Sequence, residues 1–443
     1  MFGTDGIRGI PYKSPLTSYE IKKIGFSISQ IIINKELNIE SVFIARDTRK
    51  SCDFIIKNLK IGLNKGNIGV IDLGVLPTAG ISIFIERYKY HFGIMVTASH
   101  NAHKYNGIKI FNDHGEKISD KDQKKIETFY KSVKIIKYNS NNKMNVTYKN
   151  AQYEYINLIL EKFKNNINSK LKIGVDLANG ASHKITKLIL DKVNVDASII
   201  SNSPNGKNIN LKSGVENTLK LKQLVKRKKL DLGVAIDGDA DRVVFLDFRG
   251  DIIKGDQIIQ FFAKKILKRN LPLVTTIMTN NKIKDNLKSK KIRIIQTDVG
   301  DRNVYFEMLK NGSNFGGENS GHYIFKDFLK TSDANFTILK LLSLVKSRID
   351  INKISNIKLN PSCLKSFEIK RKKPIEKIDF IRKYKKKFQK MYKDYYLNIR
   401  YSGTESKIRI LIQGPSMKII KNEIKLFGML LVQNKLWKNL TLI

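Results

Sequence analysis

Short apolar runs alternate with amphipathic stretches along most of the chain, and this alternation limits the possible folds more than any other feature. Short apolar runs bounded by turn residues are typical of buried strands. The predicted strands are Val42–Ala45, Gly69–Leu73, Phe92–Val96, Lys172–Asp176, Leu232–Asp237, Leu273–Met278 and Arg293–Thr297. Helical spacing between them is clearest over Tyr153–Phe163. Strands that alternate with helices predict α/β domains with parallel or mixed sheets.

The same pattern predicts several domains. A chain of 443 residues exceeds what one hydrophobic core usually serves. The order strand, turn, helix restarts near residues 172 and 273, which indicates three successive α/β units. Beyond residue 365 the sequence is denser in Lys, Tyr and Phe and favours a smaller α+β unit. We therefore predict domains at 1–150, 151–252, 253–365 and 366–443.

Composition excludes several classes of protein. With 41% hydrophobic residues the chain can bury sizeable cores, which excludes wholesale disorder. No apolar stretch approaches the ~18 residues that a membrane helix needs, and the opening MFGTDGIRG resembles no secretory signal. The two cysteines, Cys52 and Cys363, cannot form a disulfide framework. We expect a cytoplasmic protein with no membrane partner.

The net charge of +42 raises the question of a polyanionic partner. Short basic runs occur at 226–229, 370–373 and 385–387, but aromatic residues do not interleave them as they do in single-strand platforms. We expect a solvated lysine surface and no specific nucleic acid, with polyanion binding as the alternative.

Arginine, which binds phosphate and carboxylate with a planar fork, is concentrated in Gly-, Ser- and Asp-rich motifs and indicates a phosphorylated small substrate. These arginines are Arg8, Arg46, Arg49, Arg242, Arg302, Arg400 and Arg409.

A serine loop follows the predicted strand Phe92–Val96. It reads Thr-Ala-Ser-His-Asn, with Ser99 as a candidate nucleophile and His100 beside it. Loops at the carboxyl ends of parallel strands are where ligands bind. Lys109 lies on a short turn that can return to this loop, and the hydrolase elbow GxSxG is absent, which disfavours acyl transfer. The alternative is an ordinary polar turn.

An acidic loop, Asp237-Gly-Asp-Ala-Asp-Arg242, follows the predicted strand that begins at Leu232. Asp237, Asp239 and Asp241 occupy alternate positions, so their carboxylates converge and repel one another unless a cation lies between them. Oxygen ligands favour Mg²⁺ or Mn²⁺. An EF-hand is excluded because Arg242 stands where its glycine is required. Capping aspartates are the alternative reading.

Two further loops carry polar groups among small residues. The first, Gly316–His322, is called the sugar loop here. It places Glu318, Asn319 and Ser320 where they can bind sugar hydroxyls, although a tight turn has the same composition. The other loop is Arg400–Ser406, followed by Arg409, and its arginines, hydroxyls and flexible backbone amides are typical of an anion nest. The P-loop motif GxxxxGK[ST] is absent from the chain.

The order and spacing of FGTDGIRG, TASHN with NGIK, DGDADR, GGENSGH and RYSGTES resemble those of the α-D-phosphohexomutase superfamily. The resemblance extends to ARDTRKS, VDLANG, NGKNIN and VGDR. The GENSGH form of the sugar loop favours the bacterial branch that acts on glucosamine phosphates. Met usually replaces Asn319 in the branch that acts on mannose and glucose phosphates.

The resemblance implies four domains around one cleft, each with one loop in it. It implies an isomerase that interconverts glucosamine 6-phosphate and glucosamine 1-phosphate through a phosphoserine at Ser99 and a glucosamine 1,6-bisphosphate intermediate, feeding UDP-N-acetylglucosamine and cell-wall synthesis. One Mg²⁺ per site would be held by Asp237, Asp239, Asp241 and the phosphorylated Ser99. The implied catalytic residues are Ser99, His100, Lys109, Arg8 and Arg242. The implied substrate ligands are Glu318, Asn319, Ser320, Arg400, Ser402, Gly403, Thr404 and Arg409.

Two alternatives stay open at this point. One is the sister branch, phosphomannomutase/phosphoglucomutase, and the other is a decayed, basic nucleic-acid-binding protein. The sequence leaves open whether Lys109 or His100 moves protons, whether Ser99 is phosphorylated, and whether the protein is a monomer or a homodimer.

Overall fold

In a computed structural model the strands form four sheets that succeed one another along the chain. The structure describes residues 1–3, 5–35, 39–89, 91–133, 145–163, 167, 170–370, 372–402 and 406–434. We refer to the sheets as the first to the fourth in chain order. Among the described residues, no helix has the length and apolar character needed to cross a bilayer.

The first sheet has six strands in the order β1-β5-β4-β2-β3-β6, and β2, β3, β4 and β6 run parallel. The edge strand β1 and its neighbour β5 are joined to them in antiparallel fashion. The strands are β1 Ile7–Gly9, β2 Ser41–Arg46, β3 Gly69–Val75, β4 Phe92–Val96, β5 Asn106–Phe111 and β6 Asn145–Thr147. The helices between them are α1 Ser18–Asn34, α2 Cys52–Lys65, α3 Thr78–Tyr88 and α4 Asp120–Ser132.

Helices α1 and α2 pack through two glycines that bring their backbones together. A Cβ on Gly25 would lie 2.6 Å from the carbonyl oxygen of Leu59, and a Cβ on Gly62 would collide with the carbonyl oxygen of Lys22. Apolar residues of both helices bury one face of the sheet. This packing fixes the orientation of β2 and β4, whose carboxyl ends carry the candidate loops.

The second sheet has the order β11-β10-β9-β7-β8, with β7, β8 and β9 parallel and β9 and β10 joined as a hairpin. Its strands are β7 Ile173–Asp176, β8 Ala197–Ile200, β9 Leu232–Ile236, β10 Val243–Asp247 and β11 Ile252–Ile253. The helices are α5 Ala151–Glu161, α6 Ile185–Lys192 and α7 Leu219–Arg227. The hairpin loop between β9 and β10 is the acidic loop.

The third sheet has the order β13-β12-β14-β15, in which β14 and β15 form a hairpin that contains the sugar loop. Its strands are β12 Leu273–Thr276, β13 Ile294–Thr297, β14 Phe315–Gly317 and β15 Tyr323–Phe325. The helices are α8 Gly255–Ile266, α9 Lys282–Leu287, α10 Asp301–Lys310, α11 Ala334–Leu344 and α12 Arg348–Ser355. A single hydrophobic core joins apolar residues from the first three sheets, including Phe43, Val234 and Phe315.

The fourth sheet is smaller, fully antiparallel, and has the order β16-β18-β17. Its strands are β16 Ser362–Glu368, β17 Tyr396–Tyr401 and β18 Lys407–Gln413, and its helices are α13 Asp379–Met391 and α14 Met417–Gln433. These elements enclose a separate core. The apolar residues of the fourth sheet therefore form a core of their own.

The predicted α/β architecture is confirmed, and each predicted strand is present with small differences at its ends. Strand β12 ends at Thr276 rather than Met278, because the chain turns there and the backbone of Ile277 and Met278 contacts the fourth sheet. The helix predicted over Tyr153–Phe163 begins and ends two residues earlier. The four domain ranges stay a prediction; β11 lies across the boundary at 252, and β16 begins before the boundary at 365.

We expect Gly62→Ala to lower the free energy of unfolding by about 1–3 kcal/mol, because the added methyl group overpacks the contact between α1 and α2. In an exposed helix the same change is stabilising by up to ~1 kcal/mol. The sign of the change in unfolding free energy therefore shows whether the α1–α2 contact is too close for a methyl group. Lys57→Ala on the exposed face of α2 is the matched control. Thermal or urea unfolding measures the effect, and a Gly62→Ala chain at least as stable as wild type contradicts it.

Candidate functional site

The serine loop leaves the carboxyl end of β4 and is buried. Ser99 is 1% exposed and has a φ of +51°, a left-handed conformation that non-glycine residues seldom adopt. Backbone strain of this kind persists only where surrounding contacts hold it, and it is concentrated at functional sites. The Ser99 backbone N–H donates to Thr97 Oγ1 at 2.8 Å.

The serine loop meets the acidic loop across the boundary between the first and second sheets. Ser99 Oγ donates to Asp237 Oδ2 at 2.6 Å. One carboxylate oxygen from each of Asp237, Asp239 and Asp241 lies within 4.8 Å of the others, and all three residues are buried. The hydroxyl and the acidic triplet, which the sequence places more than a hundred residues apart, therefore form one cluster.

A lysine from the first sheet neutralises part of this negative charge. Lys109 Nζ on β5 lies 2.8 Å from Asp239 Oδ2, 2.7 Å from Asp241 Oδ2 and 2.9 Å from Asp5 Oδ2. Burial alone lowers the pKa of Lys109, but the three carboxylates raise it well above the usual value. The ammonium is therefore charged and fully engaged.

The acidic triplet has the properties of a site for a hard divalent cation. Oδ1 of Asp239 is buried and has no hydrogen-bond partner among the described residues, while its Oδ2 already accepts from Thr78 Oγ1 at 2.6 Å. Burial, followed by the charges of Asp239 and Asp241, raises the pKa of Asp237 well above its usual value. A buried, unsatisfied carboxylate oxygen beside two further carboxylates fits Mg²⁺, which prefers oxygen ligands.

The sugar loop supplies a histidine that lies between two carboxylates, one of which belongs to the acidic triplet. His322 Nδ1 lies 2.9 Å from Glu318 Oε2, and its Nε2 lies 3.2 Å from Asp241 Oδ1. Although burial and Arg242 lower the pKa of His322, the two carboxylates raise it to about 10. Glu318 Oε1 also accepts from the backbone N–H of Gly300 at 2.9 Å. The third sheet is thereby connected to the acidic triplet.

His100, the residue after Ser99 in the serine loop, has the reverse electrostatics. Its Nδ1 is 3.3 Å from Ser99 Oγ. Burial, followed by the charges of Arg242 and Arg8, lowers the pKa of His100 to about 3. His100 is therefore neutral at physiological pH.

Next to these groups lies a cleft of about 600 Å³. His100, Arg242, Glu318 and His322 line it, whereas Ser99, Lys109 and the acidic triplet are buried and are not among its lining residues. Its lining combines the guanidinium groups of Arg8 and Arg242 with the carboxylates of Asp5, Asp301 and Glu318, and it contains groups from the first three sheets. The lining residues are Asp5, Arg8, Gly9, His100, Asn101, Tyr105, Arg242, Val299, Gly300, Asp301, Glu318, Ser320 and His322. Its volume falls in the range of small-molecule sites.

Several predicted site residues lie elsewhere. Asn319 is exposed to solvent and is not among the residues that line this cleft. Its Nδ2 donates to the carbonyl oxygen of Met278 at 3.2 Å. Arg46 pairs with Asp72 and does not line the cleft, and Arg302 pairs with Asp120. Of the arginines predicted from the motifs, Arg8 and Arg242 are among the cleft-lining residues.

The fourth sheet carries two arginines directly opposite each other. Arg400 on β17 and Arg409 on β18 are cross-strand partners, and like charges in this position are destabilising. Burial, followed by the charge of Arg409, lowers the pKa of Arg400. Ser402 is buried beside them. An anion bound here would relieve the repulsion, but Gly403 and Thr404 lie outside the described residues, and no described residue of the fourth sheet lines the cleft.

Sequence reasoning assigned no role to Asp5, Lys117, Asp301 and His322. Lys117 Nζ lies 2.7 Å from Asp5 Oδ1 and 2.7 Å from Asp301 Oδ2, which ties the first sheet to α10 of the third. Asp5, Asp301 and His322 stand inside motifs that the sequence singled out, so a signal for them existed. Lys117 stands in none and could not be distinguished from the other lysines.

Comparisons with known proteins find similar chains of one family. Family models described as phosphoglucomutase/phosphomannomutase, alpha/beta/alpha domains I, II and III, match residues 1–136, 153–250 and 254–358. The phosphoglucosamine mutase of a Nitratiruptor species is 33% identical over 94% of this chain and 96% of its own. That of Campylobacter curvus is 34% identical over 96% and 98%.

Solved structures share the fold at low sequence identity. A phosphoglucomutase/phosphomannomutase family protein from Burkholderia thailandensis has a TM-score of 0.80 at 20% identity and covers 97% of this chain and 96% of its own. The N-acetylphosphoglucosamine mutase of Aspergillus fumigatus, solved in complex with GlcNAc-6P and magnesium, has a TM-score of 0.66 at 15% identity and covers 95% and 93%.

We expect Asp237→Asn to raise the thermal midpoint of the metal-free protein, because it removes one of three mutually repelling buried carboxylates. Asn retains an acceptor for the Arg242 backbone N–H, which donates to Asp237 Oδ1 at 3.1 Å. In the wild-type protein, free Mg²⁺ at 100 times its Kd stabilises the fold by about 2.7 kcal/mol. The variant should lose this increase.

Calorimetric scans with EDTA and with Mg²⁺ measure both effects. Asp251→Asn, at an exposed position after β10, is the control and should behave like the wild-type protein. Equal stabilisation of Asp237→Asn and wild type by Mg²⁺ would show that the triplet is not the cation site.

Proposed function

The chain belongs to the α-D-phosphohexomutase superfamily, and we propose that it interconverts glucosamine 6-phosphate and glucosamine 1-phosphate with Ser99 as the phosphoryl carrier. It is an enzyme of the mutase class. The observation that carries the assignment of Ser99 is the 2.6 Å contact between its Oγ and Asp237 Oδ2, next to His100 in the cleft lining. An alcohol beside a cation site is the arrangement that reversible phosphoryl transfer requires.

In the proposed reaction the enzyme starts with a phosphate ester on Ser99. The C1 hydroxyl of glucosamine 6-phosphate attacks the phosphorus; the bond from phosphorus to Ser99 Oγ breaks, and a bond to the sugar oxygen forms. The sugar hydroxyl gives up its proton, and the product is the 1,6-bisphosphate. After the bisphosphate turns over, the Ser99 oxygen attacks the phosphorus at C6. The bond from that phosphorus to the C6 oxygen breaks, the C6 oxygen takes up a proton, and glucosamine 1-phosphate leaves the restored phosphoserine enzyme. No phosphate is gained or lost.

Asp237, Asp239 and Asp241, with a phosphate oxygen on Ser99, would hold one Mg²⁺. The bound ion supplies positive charge next to the transferring phosphoryl group. The chain's own residues align Ser99 with the cleft, and the guanidinium groups of Arg8 and Arg242 line the path of the phosphate. Their positive charge favours an anionic substrate and stabilises the charge that spreads over the phosphoryl oxygens.

The sugar loop is the proposed site for the hexosamine ring. Glu318 and Ser320 line the cleft and can bind sugar hydroxyls, whereas Asn319 is proposed to support the loop through Met278 rather than to touch the sugar. Protons pass between the sugar hydroxyls and the cleft side chains, and Lys109, His100 and His322 are the groups that can exchange them. Glu318 fixes the orientation of the His322 ring.

The fourth sheet is the proposed clamp for the phosphate that does not react. Arg400 and Arg409, with Ser402, Gly403 and Thr404, would bind it. The repulsion between the two opposed arginines supports this proposal, because an anion between them removes an unfavourable interaction. A generic phosphate clamp also allows the bisphosphate to bind in either direction.

The remaining proposals concern the partners, the location and the oligomeric state of the protein. The partner is a small phosphosugar, and we retain as predictions a cytoplasmic location, a monomer or homodimer, and no specific partner among nucleic acids or membranes. The product serves UDP-N-acetylglucosamine and cell-wall synthesis.

We expect intact-protein mass spectrometry to find one added phosphoryl group after incubation with glucose 1,6-bisphosphate and Mg²⁺, localised to Ser99. Ser99→Ala should gain none and should lose mutase activity, because no acceptor oxygen remains. Ser27→Ala, at a buried serine in α1, is the control and should be labelled like wild type. A phosphoryl group on another residue, with an active Ser99→Ala enzyme, contradicts the proposal.

We expect kcat/KM to be highest for glucosamine 6-phosphate when it is compared with the 6-phosphates of glucose and mannose. Glucose and mannose carry a neutral hydroxyl at C2 in place of the ammonium group of glucosamine, so a polar group that pairs with the ammonium loses its charged partner in these analogues. A coupled assay of 1-phosphate formation measures all three under one condition. A preference for the mannose or glucose ester would place the chain in the sister branch.

A further inference from the structure

Arg49 is a completely buried cation that the proposed reaction does not use. Its side chain and that of its ion-pair partner Asp47 are 0% exposed, and its Nε donates to Asp47 Oδ2 at 2.8 Å. The ARDTRKS motif predicted that this arginine would bind phosphate or carboxylate. The only carboxylate that it contacts among the described residues is that of Asp47, and it does not line the cleft.

The rest of its guanidinium binds one loop. Nη1 donates to the carbonyl oxygens of Ala102 at 2.7 Å and Tyr105 at 3.0 Å, and Nη2 donates to those of Ser99 at 3.0 Å and Asn101 at 2.7 Å. A guanidinium has five N–H donors in a fixed planar arrangement. With the Asp47 contact, all five are used, and four of them hold the backbone that carries the nucleophile.

A second side chain binds the same carbonyls from the second sheet. Asn210 Nδ2 donates to the carbonyl oxygens of Ser99 at 2.8 Å and Asn101 at 3.0 Å. The left-handed conformation of Ser99 turns these carbonyl oxygens to one side of the loop. Without donors between them the oxygens would repel one another, and the loop would relax away from this conformation.

Asp47 connects the guanidinium to the other end of the loop. Its Oδ2 accepts from Thr97 Oγ1 at 2.7 Å, and Thr97 Oγ1 in turn accepts from the Ser99 backbone N–H at 2.8 Å. The peptide groups on both sides of Ser99 are therefore fixed by the Arg49–Asp47 pair, directly or through Thr97. The direction of the Ser99 side chain depends on both of them.

We propose that Arg49 is a positioning residue that holds the serine loop in its left-handed conformation and so directs Ser99 Oγ at the acidic triplet. The inference rests on the proposed function, since it concerns the geometry of phosphoryl transfer. Arg49 lies behind the loop and touches neither the cleft nor the triplet. Its loss should therefore slow transfer to and from Ser99 while leaving sugar binding and cation binding intact.

The test compares Arg49→Lys with Arg46→Lys. Lysine keeps the charge next to Asp47, but a single ammonium cannot bind four carbonyl oxygens that a planar fork reaches. Arg46 is the matched control: it stands three positions earlier in the same motif and pairs with Asp72 away from the cleft. The readouts are kcat, KM, the rate of Ser99 phosphorylation by glucose 1,6-bisphosphate, and Mn²⁺ affinity by electron paramagnetic resonance.

We expect Arg49→Lys to lower kcat and the rate of Ser99 phosphorylation about a hundredfold, the size of effect that a small misplacement of reacting atoms produces. KM should stay at its wild-type value, and so should the Mn²⁺ affinity of the unphosphorylated enzyme, in which the aspartates hold the cation without the Ser99 phosphate. Every parameter of Arg46→Lys should also stay at its wild-type value. A wild-type kcat in Arg49→Lys overturns the proposal. A parallel fall in kcat and in the Mn²⁺ affinity of the unphosphorylated enzyme also overturns it, because that result indicates general disruption of the site. A wild-type chain without mutase activity would instead overturn the proposed function.

Asn210→Asp keeps the test decisive if Arg49→Lys fails to fold. Asp tolerates the left-handed φ of +56° at this position, but an oxygen replaces the amide donor that faces the two carbonyls. The same selective loss of kcat supports the proposal. Wild-type turnover in a folded Asn210→Asp enzyme contradicts it, because an oxygen that repels the two carbonyls would then leave Ser99 in place.

Discussion

The structure depends on the way it accommodates three buried carboxylates in one loop. Asp237, Asp239 and Asp241 are each at most 1% exposed, and an unpaired buried charge is strongly destabilising. The acidic hairpin of the second sheet therefore requires cations from outside its own sheet. The described residues supply Lys109 from the first sheet and His322 from the third. Folding of the hairpin is thus coupled to assembly of the three sheets.

This coupling explains why the first three sheets share one core. The hydrophobic cluster that contains Phe43, Val234 and Phe315 spans all three, and Lys117 bridges Asp5 and Asp301 between the first and the third. A displacement of any sheet by an ångström would separate Ser99 from Asp237 or Lys109 from the triplet. Apolar packing therefore fixes the distances between the charged groups, and the ion pairs in turn hold the three sheets in one relative position.

Much of this arrangement could be predicted from the sequence. Short apolar runs located the strands, and alternate aspartates after a buried run identified the acidic loop, because both signals are local. The sugar loop was identified as a motif, but Asn319 lies outside the cleft lining, since adjacent residues of a tight turn point in different directions. Lys117 could not be found, because its two partners are remote in sequence. Arg49 was recognised as special, but its partners are backbone carbonyls, which have no sequence signature.

The fourth sheet differs from the others in what attaches it. Its core is separate, and its described contacts with the third sheet include polar ones: Tyr396 Oη donates to the carbonyl oxygen of Ile277, Gln413 Nε2 to that of Met278, and the Asn281 backbone N–H to Gln413 Oε1. Polar contacts of this kind can be exchanged for contacts with water at little net cost, whereas separating a shared apolar core is expensive. In the proposed reaction the division would therefore lie between a body of three sheets, where the phosphoryl group would change bonds, and a fourth sheet whose opposed arginines would follow a phosphate. A bisphosphate that must turn over within one site needs both properties, since the reacting end demands fixed distances and the distal end must be released and bound again.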